Sequence, residues 1–226
     1  MRFPTRLLER KLFRDGYTSV IGIDEVGMGC LAGPVVVCAV SFSKEFYASK
    51  RSSLDGVRDS KLLTARQRET LASQLIASPE LQYTISYCYP KTIDKINIYQ
   101  AARKAMRRAV AKLYSHKAIQ AIQLYSSTAL PPRAIVLVDG PHKIQGLEMP
   151  QRAIVKGDRT VFAIACASII AKVHRDRMMA RYAKRFPQYG FERHKGYGTK
   201  FHVAMLVRFG PTEIHRRSFA PVGNLV

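Results

Sequence analysis

Apolar residues come in two spacings along this chain. One set forms short runs rich in β-branched residues. Residues 17–29 and 34–42 (PVVVCAVSF) read as two strands joined by a turn at Leu31–Pro34, close enough in sequence to pair like a hairpin. LQYTISYCY at 81–89 alternates as a strand does, and AIVLVD at 134–139 is apolar almost throughout, as in a strand buried on both faces. RAIVKGD at 152–158 predicts a further short strand. The other set follows helical spacing. Residues 64–78 predict a helix with Leu71, Leu75 and Ile76 on its apolar face and a capping box from Thr64 and Gln67. Ile98, Ala102, Ala105, Ala109 and Leu113 predict a long helix over 93–115. Residues 160–185 predict another, opening on VFAIACASIIAKV, whose small residues permit close packing. A last helix over 199–209 stops at Gly210 and Pro211. The N-terminal MRFPTRLLERKLFRDGY reads as a short amphipathic helix. Early strands followed by alternating helices and strands give an α/β layout with a mixed sheet.

Composition adds a partner to this picture. Lys and Arg number 37 against 16 Asp and Glu, a formal charge of +21 over 226 residues. Such a surplus concerns partners rather than fold, and nucleic acid is the first candidate. A merely soluble basic protein is the bland alternative. No apolar run approaches the ~20 residues of a membrane span. Charges interrupt the N-terminal apolar stretches, so no secretory h-region is present. A cytoplasmic protein with no membrane partner is expected. Cys30, Cys38, Cys88 and Cys166 form no C-x-x-C pair and read as reduced, packed thiols. The six histidines are scattered, without an H-x-x-x-H pair, which argues against a zinc hydrolase.

Against this basic background, Asp24 and Glu25 in IGIDEVGMG, Asp139 in IVLVDG and Asp158 in IVKGD follow apolar runs. Carboxylates at the ends of rigid strands suit hard divalent cations. Two such ions ~4 Å apart can clamp the attacking and leaving oxygens of a phosphodiester. Asp24 and Glu25 are neighbours, which in a regular strand face opposite ways. Both serve one site only if the strand ends or bulges there, and Gly27 and Gly29 make that plausible. Taken singly, each carboxylate could instead be a turn or cap residue, Asp158 above all because it lies just ahead of a helix.

The chain resembles the bacterial type 2 ribonuclease H (ribonuclease HII) family from about Ile21 to Val222. The segments that carry the likeness are IDEVGMGCLAGPVV (23–36), DSKLLTARQRE (59–69), INIYQAARKAMRRAV (96–110), VLVDG (136–140), VKGD (155–158), ASIIAKVHRDR (167–177), FPQYGFERHKGYGT (186–199) and IHRRSFAPV (214–222). The resemblance implies a ribonuclease H-like mixed sheet flanked by helices, with a small C-terminal helical lobe. It implies a catalytic domain over 1–185 and a basic, substrate-binding segment over 186–226, where HKGYGTKFH and IHRRSFAP mix bases with aromatics. The implied activity is cleavage of the RNA strand of RNA–DNA hybrids and nicking on the 5′ side of ribonucleotides embedded in duplex DNA. Mn²⁺ or Mg²⁺ would be held by Asp24, Glu25, Asp139 and Asp158, leaving 5′-phosphate and 3′-hydroxyl ends. The family's Gly-Arg-Gly motif falls on Gly27, Met28 and Gly29, and its junction-reading tyrosine on Tyr197. Ser60 and Lys61 resemble its phosphate-holding loop. Ser168 and Lys172 lie four apart on one helix face and could present a hydroxyl and an ammonium to DNA-strand phosphates.

Met28 departs from the family pattern, since methionine cannot pair with a phosphate as arginine does. Three readings stay open: another basic residue supplies that charge, substrate affinity is lower, or position 28 carries a substitution. Arg103, Lys104, Arg107 and Arg108 form a basic helix face suited to long-range attraction, while His174, Asp176 and Arg177 read as surface decoration. Two alternatives stay open: a type 3 ribonuclease H, disfavoured by the HRRSFAP tail and the short segment before the first strand, and a catalytically silent nucleic-acid-binding protein. A monomer is expected.

Overall fold

The computed structural model describes residues 3–49, 54, 56–124 and 133–225, with backbone only for 116–124. Strands β1 (Ser19–Val26), β2 (Val35–Phe42), β3 (Leu81–Cys88), β4 (Ala134–Asp139) and β5 (Gln151–Ile154) form one mixed sheet in the order β3-β2-β1-β4-β5. β1 pairs antiparallel with β2 and parallel with β4. The expected strand over 152–158 is thus shorter and earlier. It ends because Lys156 takes a left-handed conformation and residues 157–159 form a tight turn.

Alternation along the strands supplies two apolar faces. Ile21, Ile23, Val136 and Val138 face helix α5 (Ile98–Leu124). Val20, Val40 and Leu137 face helix α6 (Phe162–Arg185), with α1 (Leu7–Arg14), α2 (Lys44–Ala48) and α3 (Ala65–Ala77) around it. The helix expected over 93–115 is two helices, α4 (Pro90–Ile96) and α5. The break is Asn97, at φ 60°, whose side chain accepts the Gln100 N–H and so opens the second helix. Three of the four residues on the basic face of α5 are tied down. Arg103 and Arg107 donate to Gln145, and Arg108 donates to the Tyr87 carbonyl.

The first ten residues of α6 are all buried. Gly22 permits the approach, because a Cβ there would lie 2.5 Å from the Ala163 backbone. The N-terminus of α6 has no side-chain cap of its own, and Glu9 of α1 supplies one, its Oε1 accepting the Ala163 N–H at 2.9 Å. Beyond α6, α7 (Phe191–His194) and α8 (Lys200–Phe209) gather Tyr189, Phe191, Leu206, Ile214 and Val222 into a third apolar cluster shared with Leu31, Met179 and Ala183. All four cysteines are buried free thiols.

Candidate active site

The site begins where two parallel strands end. Ile23 lies opposite Val138, which sets Asp24 level with Asp139. Alternation sends both side chains to the α6 face. There the Ser168 hydroxyl bonds Asp24 and lies 3.0 Å from the Ser60 hydroxyl. Asp24 Oδ1 also accepts the Glu25 N–H at 2.7 Å.

Glu25 reaches the same cavity by a different route from the one expected. The β1–β2 register runs unbroken from Ile21 to Val26, so there is no bulge and β1 has not ended. The neighbouring strand has. β4 stops at Asp139, so no β4 residue stands beside Glu25. Asp24, Glu25, Gly27, Met28, Gly29, Ser60, Lys61, Asp139, Ser168, Lys172 and Tyr197 line a cavity of about 260 Å³. Asp158 lies at its margin, donating its N–H to Asp139 Oδ1 at 3.3 Å, with Oδ2 4.0 Å from Lys61 Nζ. It opens no helix with its side chain, since the tight turn at 157–159 carries it.

Burial, then the neighbouring Glu25 and Asp139, hold the Asp24 carboxyl well above the usual carboxylate range. Burial and the Asp139 charge push Glu25 up to about 7. Asp158 is raised by burial and then by Asp139 and Asp59. Among the described residues no three Asp, Glu, His or Cys groups form a ready-made metal cage. The donor set still suits a hard divalent cation. It is all oxygen, its members raise one another's proton affinity, and Glu25 Oε2 is buried without a hydrogen-bond partner.

The other expected residues divide by exposure. Ser60 and Ser168 are buried, whereas the Lys61 side chain is 78% exposed and Tyr197 43%. Lys172 pairs with Asp176 at 2.7 Å, and Asp176 is mostly buried along the neighbouring groove and is not surface decoration. Met28 is half-buried against the α5-side core. Lys172 and Tyr197 also line a second groove of about 620 Å³, which continues past Arg68, Arg177 and Lys195 between α3, α6 and the C-terminal cluster.

Two arginines escaped the sequence reading. Arg175 and Arg216 are both fully buried, and among the described residues their side-chain hydrogen bonds go to backbone carbonyls around the Gly27–Pro34 loop or at Lys195. Arg175 had a signal: it sits seven residues after Ser168 on the buried stripe of α6. A histidine chain was also missed. The Nδ1–H of His202 donates to the Tyr197 carbonyl at 2.9 Å. The Nε2 of His202 and His215 lie 3.0 Å apart, and His215 Nδ1 accepts the Thr212 N–H.

The family model described as Ribonuclease HII matches residues 21–222. A ribonuclease HII of Caldicellulosiruptor saccharolyticus is 43% identical over 212 residues, covering 94% of this chain and 92% of its own. One of Acholeplasma laidlawii is 42% identical over 226 residues, covering 100% and 99%. The crystal structure of the ribonuclease H2 from Pyrococcus horikoshii OT3 superposes with a TM-score of 0.64 at 25% identity, covering 92% of this chain and 96% of that one. With the matched region spanning the sheet from Ile21 of β1 onward and the cavity at its edge, the chain belongs to the ribonuclease HII family and is an endonuclease acting on RNA–DNA hybrids.

Proposed function

We propose that this enzyme, besides cutting hybrids, nicks duplex DNA on the 5′ side of an embedded ribonucleotide, with Asp24, Glu25, Asp139 and Asp158 as its cation-holding carboxylates. The observation that carries this reading is the shared cavity, which Asp24, Glu25 and Asp139 line together with Gly27–Gly29 and Tyr197. Mg²⁺ or Mn²⁺ held by those carboxylates would supply Lewis acidity and a water of lowered pKa. The chain's own residues do the rest. Ser168 holds Asp24 by its hydroxyl. Lys61, exposed beside Asp158, meets a phosphate. The backbone at Gly27–Gly29 approaches the ribose, whose 2′-OH separates RNA from DNA. The ring of Tyr197 stacks on the following deoxyribose, where a 2′-OH would clash. Residues 186–226 act as a substrate-binding lobe beside a catalytic unit over 1–185, packed on it through the apolar cluster that Tyr189 and Phe191 share with Leu31, Met179 and Ala183.

A DNA duplex with one ribonucleotide, incubated with Mg²⁺ or Mn²⁺ and with chelator, tests the reading. A single cation-dependent nick on the 5′ side is expected. Cleavage of long hybrids only would refute junction recognition.

A further inference from the structure

Met28 leaves the Gly27–Gly29 segment without a cationic side chain where it meets the substrate, yet two cations lie behind it. Arg216 Nη2 donates to the Gly27 carbonyl at 2.6 Å, Nη1 to the Met28 carbonyl at 2.8 Å and Nε to the Gly33 carbonyl at 3.1 Å. Arg175 donates to the carbonyls of Ala32 and Pro34 at 3.1 and 3.0 Å. Its side chain also fills the space where Gly27, at φ +98°, would carry a Cβ. Both arginines are 0% exposed, and among the described residues neither is in an ion pair. Asp94 contributes at longer range and accepts hydrogen bonds from Arg217 and Ser218.

We infer that Arg216 is a positioning residue that supplies, through the peptide groups of Gly27–Gly29, the positive potential that the Met28 side chain lacks. In a trans peptide the C=O and N–H point in opposite directions. The Gly27 carbonyl shares its unit with the Met28 N–H, and the Met28 carbonyl with the Gly29 N–H. A guanidinium on both carbonyls directs both N–H groups the other way, onto the wall of the cavity. It also polarises them, since hydrogen-bonded dipoles strengthen one another in a low-dielectric interior. Two such amides form a concavity for a phosphate or sugar oxygen. Arg175 secures the other end of the loop.

This rests on the reading that Gly27–Gly29 faces the substrate. Wild-type turnover on a hybrid duplex tests that reading separately, while the inference is judged on ratios between variants. Arg216→Gln keeps a carbonyl-bonding group but removes the charge. It is expected to raise KM about tenfold, with kcat changed by less than about threefold. Adding Met28→Arg should then reverse most of the rise in KM, which it would not do if Arg216 were a purely structural clamp. A fall in kcat matching the rise in KM, or no recovery with Met28→Arg, overturns the inference. If Arg216→Gln does not fold, Arg216→Lys replaces it, compared with wild type by the amide proton shifts of Met28 and Gly29. Unchanged shifts in a folded Arg216→Lys protein also overturn it.

Discussion

Asp24 is the carboxyl on which the proposed chemistry turns. It is buried, bonded by Ser168, and faces Glu25 and Asp139. Asp24→Asn keeps the shape and removes the charge. Cleavage should fall by at least about a hundredfold while hybrid binding without divalent cation stays within about threefold, read by single-turnover kinetics and anisotropy. Loss of binding in parallel would mean that Asp24 holds the fold and not the reaction. The carboxylates were legible in the sequence because a charge at the end of a β-branched run in a basic chain is out of place. Arg216 was not, because nothing in its local composition distinguishes it from the solvated arginines around it, and Arg175 showed only its place on the buried stripe of α6. Their shared role emerges only from the long-range convergence on the Gly27–Pro34 carbonyls.

Elements were legible where one signal governed them. The helix start at Thr64 is a capping box in which the Thr64 side chain accepts the Gln67 N–H at 3.3 Å, a purely local device. The start of α6 depends on Glu9, 154 residues away in the chain, and no window of sequence contains both. Glu9→Ala should lower stability by about 1–2 kcal/mol in urea unfolding, the usual loss for an unsatisfied helix start. Glu9→Gln should cost less, because burial already pushes the Glu9 carboxyl up to about 7 and an amide oxygen still accepts the Ala163 N–H. Equal losses in the two variants would exclude the capping role. The break at Asn97 was overlooked for a related reason: helical spacing runs through it, and only a side chain that both tolerates positive φ and caps the next helix interrupts it. At the crossing of β1 and α6, Gly22→Ala should cost about 1–3 kcal/mol by forcing the helix off the sheet.

At the scale of the whole molecule, charge and protonation set behaviour. With a formal charge of +21, hybrid binding should weaken steeply with salt, and a log–log slope near zero would deny phosphate contacts a leading part. Burial holds His202 and His215 down to about 4, against ~6.5 in an unfolded chain. Between those values the unfolded chain binds more protons, so the pair's contribution to stability is whole above about pH 6.5 and drains away as pH falls towards 4. Glu9 and Glu25, raised to about 7, act in the opposite direction, so the pair is best isolated by difference. The gap in melting temperature between wild type and a His202→Gln, His215→Gln double variant should narrow from pH 7.5 to pH 5. A gap that does not change would rule the histidines out. One last property follows from α6. Its first turns are embedded beneath the sheet, and Met179 and Ala183, near its far end, belong to the C-terminal cluster. A single uninterrupted rod of 24 residues, about 36 Å long, therefore runs past the cavity at Ser168 and Lys172 to the C-terminal cluster. A continuous helix resists bending, so the spacing between the cavity and the C-terminal cluster is expected to stay the same when a duplex binds. Small-angle scattering should give the same protein dimensions with and without a bound hybrid.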